Sequence, residues 1–380
     1  MRPFEVDIPD QALADARARL AATRWPIDAF NGDWRFGVPQ RFVRALCDHW
    51  LNIFDWRALE ARINRQPQLT TEVDGLTIHT VHRHSPRPDA FPLILLHGWP
   101  GSFLDFLDLH DPLADPPSGM PAFHVVTPSL PGYGFSETRP GVTPQRVAAI
   151  MLVLMERLGY NQFLVQGGNW GSLIGTEMAR QAPDRVVGLH LSSVSASAPP
   201  HSEQTTLSDE EQSWIADHSS FPHFALLSQA PASMSYALND SPAGLAAWIG
   251  ERLHDWADNR EHAGIALDRM IGTIALYWFT GTIGASSKLY YEMAHDPAEE
   301  RYVNVPTAVA VFPKSVVKSP RAWAERLYNI VQWTVFARGG HFPAIEVPDL
   351  LIEDVRRFAS NLEYQSIISH GGTDPQRAPA

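Results

Sequence analysis

The residue whose setting says most about chemistry in this chain is Asn169. In Gly167-Gly168-Asn169-Trp170-Gly171, small residues flank a central side chain on both sides. This is the pattern of a tight strand-to-helix turn that projects one group into a reaction site. Glycines serve there because strand and helix approach too closely for side chains. A serine, aspartate or cysteine is expected at the centre, whereas an amide is a poor nucleophile and does not ionise near neutral pH. His97-Gly98-Trp99-Pro100-Gly101-Ser102 follows an apolar run. The Trp99 and Trp170 backbone N–H groups are therefore candidate donors to a developing oxyanion. His341, in Arg338-Gly339-Gly340-His341-Phe342, has the type and the late position of a general base.

Those residues need elements to carry them. Apolar runs predict strands at Leu76–His84, Leu93–Leu96, His124–Ser129, 161–167, Val186–Ser193, Thr307–Phe312 and Val331–Phe336. Helical patterns fall between them at Thr143–Leu158, after Asn169 to about Pro183, near Pro320–Tyr328 and from Pro348 to Leu362. Alternation of this kind implies a mostly parallel sheet flanked by helices, with ligands at the strand ends. Residues 1–75 carry two predicted helices, Asp10–Ala22 with Asp10 as N-cap and Gln40–Phe54, and read as a wrapping region. Residues 76–194 and 304–367 form the two parts of the core. Residues 195–303, rich in Trp and Tyr and broken by prolines, read as an inserted helical cap. The polar tail 368–380 is expected to be mobile.

Composition excludes several classes. The formal charge is −12, which disfavours nucleic acid or an anionic membrane as partner. Cys47 is the only cysteine, so no intramolecular disulfide forms and a reducing, cytoplasmic compartment is expected. No apolar stretch is long enough to span a bilayer. No nucleotide fingerprint is present and no cofactor is implied. His79, His82, His84 and His97 resemble a metal cluster by count, but lack the cysteine and carboxylate company that a site needs. Twelve Trp and 18 Phe fit a large core and also an aromatic pocket for an apolar ligand. A homodimer is a further expectation.

Taken together, the motifs resemble those of the microsomal-type epoxide hydrolases, which are α/β-hydrolases with an N-terminal wrapping domain. The resemblance rests on the Phe4–Trp25 opening, His97–Ser102, Pro131-Gly-Tyr-Gly-Phe-Ser136 and the Asn169 turn. Asp240-Ser-Pro-Ala-Gly-Leu245, Tyr277-Trp-Phe-Thr-Gly-Thr-Ile283 and Arg338–Phe342 complete it. It implies an α/β-hydrolase fold, with a nucleophilic aspartate at the turn, two cap tyrosines that donate to the epoxide oxygen, and a histidine held by a carboxylate. Carried over residue by residue, His341 matches the base and Tyr290 one tyrosine, with Tyr291 a competitor. The second tyrosine maps to His223 in Phe221-Pro-His223-Phe224, with Tyr236 a possible substitute. The acid position holds Ser315 and the nucleophile position Asn169. Glu203, Asp209 and Glu210 are candidate replacement acids, and Glu346 is expected at the start of the last helix. His97 and Trp278 are expected to join Tyr236 and Tyr291 in lining the substrate pocket.

Three readings follow. The first is acid–base opening or cyclisation of an epoxide on a bulky, apolar, natural-product-like metabolite, with no covalent intermediate. The second is a silent ligand-binding protein. The third is an ordinary epoxide hydrolase whose nucleophilic Asp is replaced or restored through Asn169.

Overall fold

The computed structural model describes residues 1–30, 32–200, 206–216, 222–260 and 264–362. Nine strands build one sheet: β1 Arg2–Pro3, β2 Gln68–Val73, β3 Leu76–Arg83, β4 Phe91–Leu96, β5 Phe123–Pro128, β6 Phe163–Gly167, β7 Val186–Leu191, β8 Val303–Val311 and β9 Tyr328–Val335. Their order is β1-β2-β3-β5-β4-β6-β7-β8-β9. The pairs from β1 to β5 along this order are antiparallel, and those from β5 to β9 are parallel. The central strands are apolar on both faces because helices cover both sides. Leu93, Ile94, Leu95 and Leu96 on β4 are all buried.

The wrapping region is more closely tied to the sheet than its sequence suggests. Its helices are Asp10–Ala21 and Gln40–Asn52, followed by an unexpected helix at Trp56–Asn64. Asp10 is the first helical residue of the first of these; Pro9 takes the cap position and offers no side-chain bond. The Asp15–Arg19 pair forms at 2.8 Å. β1 and β2 were missed because two residues carry no periodicity and Gln68–Val73 is polar. β2 holds its place through its ladder with β3.

Between β7 and β8 the described residues form six helices: Asp209–Ala216, Pro222–Leu227, Pro231–Asp240, Pro242–Asp255, Leu267–Thr280 and Ile283–His295. Prolines begin three of them, where the missing N–H costs nothing. β8 starts at Val303, four residues before the expected Thr307, because Val303 is buried and pairs with Tyr328 of β9. The helix expected over Pro320–Tyr328 is only Arg321–Ala324, and Tyr328 already belongs to β9. Glu203, Phe221 and the 368–380 tail lie outside the described residues.

Candidate active site

The turn after β6 places Asn169 at φ 53°, ψ −123°, a left-handed conformation that a non-glycine residue adopts only when its surroundings hold it there. Gly171 makes the turn possible. A Cβ on it would lie 1.9 Å from the Leu96 carbonyl oxygen on the neighbouring strand β4. Helix Trp170–Gln181 then starts directly behind the side chain.

The orientation of the Asn169 amide is fixed by its partners. Its Oδ1 accepts from Trp99 N–H at 3.0 Å and from Trp170 N–H at 2.7 Å. Its Nδ2 faces His341 Nε2 at 2.9 Å. An amide nitrogen only donates, so Nε2 carries the lone pair and Nδ1 the proton. The two candidate oxyanion donors thus both hold the amide oxygen of Asn169.

His341 Nδ1 lies 3.3 Å from Ser315 Oγ, whose hydroxyl is also 3.3 Å from the Val317 carbonyl. Ser315 therefore sits where a histidine-orienting acid is expected, but it brings no charge. Burial drives the His341 pKa down to about 3, and nearby His223 adds to the effect. The loop carrying His341 is clamped to the helical insert. His341 N–H donates to the Trp256 carbonyl at 2.8 Å. Gly339 N–H donates to Asp258 Oδ2, while Glu346 accepts from both Asp258 N–H and Phe342 N–H. Glu346 ends the short helix Pro343–Glu346 rather than starting the last helix, and its carboxylate serves this clamp and not the imidazole. Asp209 and Glu210, at the start of the insert's first helix, have no contact with His341 among the described residues.

The insert contributes an aromatic roof. The Tyr290 ring meets Trp170 edge-on at 4.9 Å and Trp99 at 5.7 Å. Burial pushes its phenol well above the usual range, with partial relief from the Trp170 indole, so it stays protonated and able to donate. His223 stacks on Trp99 at 5.4 Å and lies 5.6 Å from Tyr290. Burial, followed by the charge on Arg252, lowers its pKa to about 4, so at neutral pH it offers a neutral N–H and not a cation.

Three of the four expected pocket residues fall elsewhere, and the fourth, His97, lines a small cavity with Asn169 and His341. Tyr236 is 80% exposed on the outside of the insert. Tyr291 points outward and stacks on His295, because the helix turns it about 100° from its neighbour Tyr290. Trp278 packs near Arg19 of the first helix. His97 lies beneath the oxyanion turn, where Nδ1 faces the Gly98 carbonyl and Nε2 accepts from Leu130 N–H. Of the remaining histidines, His79 bonds Ser129 and Gln68. His82 bonds Tyr160 and packs on His84 at 4.0 Å. Sequence reasoning missed Trp256 and Asp258, which had no motif to mark them. Glu346, five positions after His341, could have been assigned to the base loop.

A strained turn after β6, two backbone donors at its side chain and a late-chain histidine define an α/β-hydrolase. The chain matches the family described as "alpha/beta hydrolase fold" over residues 92–348 and "Epoxide hydrolase N terminus" over residues 1–106. A putative epoxide hydrolase of Stigmatella aurantiaca is 39% identical, covering 93% of this chain and 83% of its own. Epoxide hydrolase 1 of Sus scrofa is 34% identical over 96% of this chain and 90% of its own. The solved Aspergillus niger epoxide hydrolase superposes with a TM-score of 0.86 at 32% identity, covering 95% of this chain and 96% of that one. The chain belongs to the epoxide hydrolase family.

Proposed function

We propose that this family member opens an epoxide on a bulky apolar metabolite by acid–base chemistry, with no ester formed on the protein. The observation that carries the reading is the amide of Asn169, whose oxygen is held by two backbone donors and whose nitrogen faces the base. The position that would attack carbon in an aspartate-dependent hydrolase instead supplies a fixed N–H donor. His341 Nε2 gives up its hydrogen bond from Asn169 Nδ2 and takes a proton from water, or from a hydroxyl of the substrate, as that oxygen bonds to an epoxide carbon. The C–O bond of the ring breaks, and its oxygen receives the Tyr290 proton, with His223 as second donor. Without a carboxylate at Ser315, the imidazolium is poorly compensated. That favours an internal hydroxyl, whose fixed placement can supply roughly 7–11 kcal/mol of the barrier. A groove of about 880 Å³ lined by Trp25, Ile27, Phe30, Val38, Leu238 and Trp248 supports an apolar substrate. The Trp248 ring, which lines this groove, meets Trp99 edge-on at 6.5 Å.

The test is a panel of epoxides, with and without an internal hydroxyl, turned over in ¹⁸O-water. Label in the diol at the first turnover identifies direct water attack. Loss of epoxide to an unlabelled cyclic isomer identifies cyclisation, whereas an unlabelled diol at the first turnover identifies an ester on the protein and overturns the reading. His341→Ala is expected to abolish both while ligand binding persists. Ligands that bind and are recovered unchanged with either protein would instead support a silent binding role, the reading favoured by Ser315 and by the low basicity of His341.

A further inference from the structure

Asp105 is a buried carboxyl group that the chemistry above does not use. It sits in the 3₁₀ turn Phe103–Phe106, just after the Trp99 oxyanion turn, and makes no ion pair among the described residues. Gly101 makes room for it: a Cβ there would lie 2.1 Å from Asp105 Oδ2. Tyr277 secures the same turn from the insert by donating to the Gly101 carbonyl at 3.1 Å. The carboxyl borders a cavity of about 40 Å³ whose polar lining also includes Gln166, Asn169, Ser192, His97 and His341. Gln166 is 1% exposed, and its Oε1 has no hydrogen-bond partner among the described residues. Buried amide oxygens are nearly always satisfied, and a cavity of this size has room for a water that could reach this one.

We propose that this cavity is a water site, and that its water links Asp105 to His341, so that Asp105 is the positioning carboxyl that Ser315 does not provide. The proposal deepens the acid–base reading and rests on His341 being its base. Bound water offers its two hydrogens to Gln166 Oε1 and Asp105; once His341 is protonated, its Nε2–H can no longer accept from Asn169 Nδ2 and donates to the water oxygen instead. A carboxylate then faces the cation across one water. Four titratable groups bear on Asp105. Arg269 favours its ionised form, Tyr277 stays protonated because burial raises its pKa, and His97 and His341 line the same cavity as neutral rings. Burial raises the Asp105 pKa to about 7, against smaller opposing effects of the Ser102 N–H and Arg269. The group therefore changes charge within the working range of a base.

The experiment joins a crystal structure of the full chain, at a resolution that shows ordered water, to pH–rate profiles of Asp105→Asn, Asp105→Glu and Gln166→Met. The expected structure has water within hydrogen-bond distance of both Gln166 Oε1 and Asp105. Asp105→Asn is expected to lower kcat by about 10- to 100-fold with little change in KM, and to erase the ionisation near neutral pH. Asp105→Glu should recover part of the loss. Gln166→Met keeps the carboxyl, and should lose both the water and most of kcat while remaining folded. Absence of a bridging water in the unsubstituted protein, or an Asp105→Asn profile matching it, overturns the proposal. Should the unsubstituted protein open no epoxide, the functional reading fails. The water density, and the His341 imidazole resonances with and without the Asp105 carboxylate, still decide this one.

Discussion

One atom separates this site from an ester-forming one. An aspartate in place of Asn169 would put one oxygen on the Trp99 and Trp170 donors and a second, nucleophilic oxygen where Nδ2 now faces His341. Asn169→Asp is therefore expected to form a covalent adduct with a reactive aryl epoxide, seen as a mass increase on the intact protein. The adduct should accumulate, because Ser315 places no carboxylate directly on His341 Nδ1 and a carboxylate across one water compensates the imidazolium only in part, which leaves ester hydrolysis slow. Adding Ser315→Asp should clear it, and a double variant that retains the adduct would count against this account. Asn169, Ser315 and His341 were legible from residue type and motif position. The orientation of the amide was not, because it depends on two N–H groups from turns 70 residues apart and on a histidine 172 residues downstream.

At the scale of elements, the site depends on how closely β4, the Asn169 turn and the following helix approach one another. Gly171→Ala drives a methyl group into the Leu96 carbonyl, a backbone contact that no rotamer change relieves. A loss of about 3 kcal/mol or more is expected on chemical denaturation; stability within error of the parent would show that the turn has slack. Periodicity located the strands and most helices, since buried parallel strands are continuous apolar runs. It overlooked Gln68–Val73 and placed Tyr236 and Trp278 in the pocket, because composition marks a residue as aromatic without showing which way its helix faces.

Across the whole molecule, burial of unprotonated imidazoles couples stability to pH. His79 and His341 are held to about 3, and His97 and His110 to about 4, in each case by desolvation first. In the unfolded chain each titrates near 6.5, so the unfolded state binds more protons below that pH. Their contribution is complete above about pH 6.5 and declines by roughly 1.4 kcal/mol per pH unit per histidine as pH falls toward the folded values. Asp354 acts in the same direction at lower pH. Burial alone would raise its pKa, but hydrogen bonds from His190 and Thr334, together with Arg357, hold it below the usual range. Tm is expected to be level from about pH 8 to 7 and to fall continuously below about pH 6. A Tm unchanged to about pH 4 would contradict this coupling.

The sequence by itself determined the fold class and the chemical identity of the site. Apolar runs must be buried as strands, and an amide at a nucleophile position cannot attack carbon. Tertiary structure decided everything that depends on distance between remote segments. It selected Tyr290 over Tyr291 by helical phase, gave Glu346 to the base loop's clamp, and closed Asp105 and Gln166 into one cavity behind Asn169. Such choices rest on which polar groups burial leaves facing one another, and chain order carries no record of that.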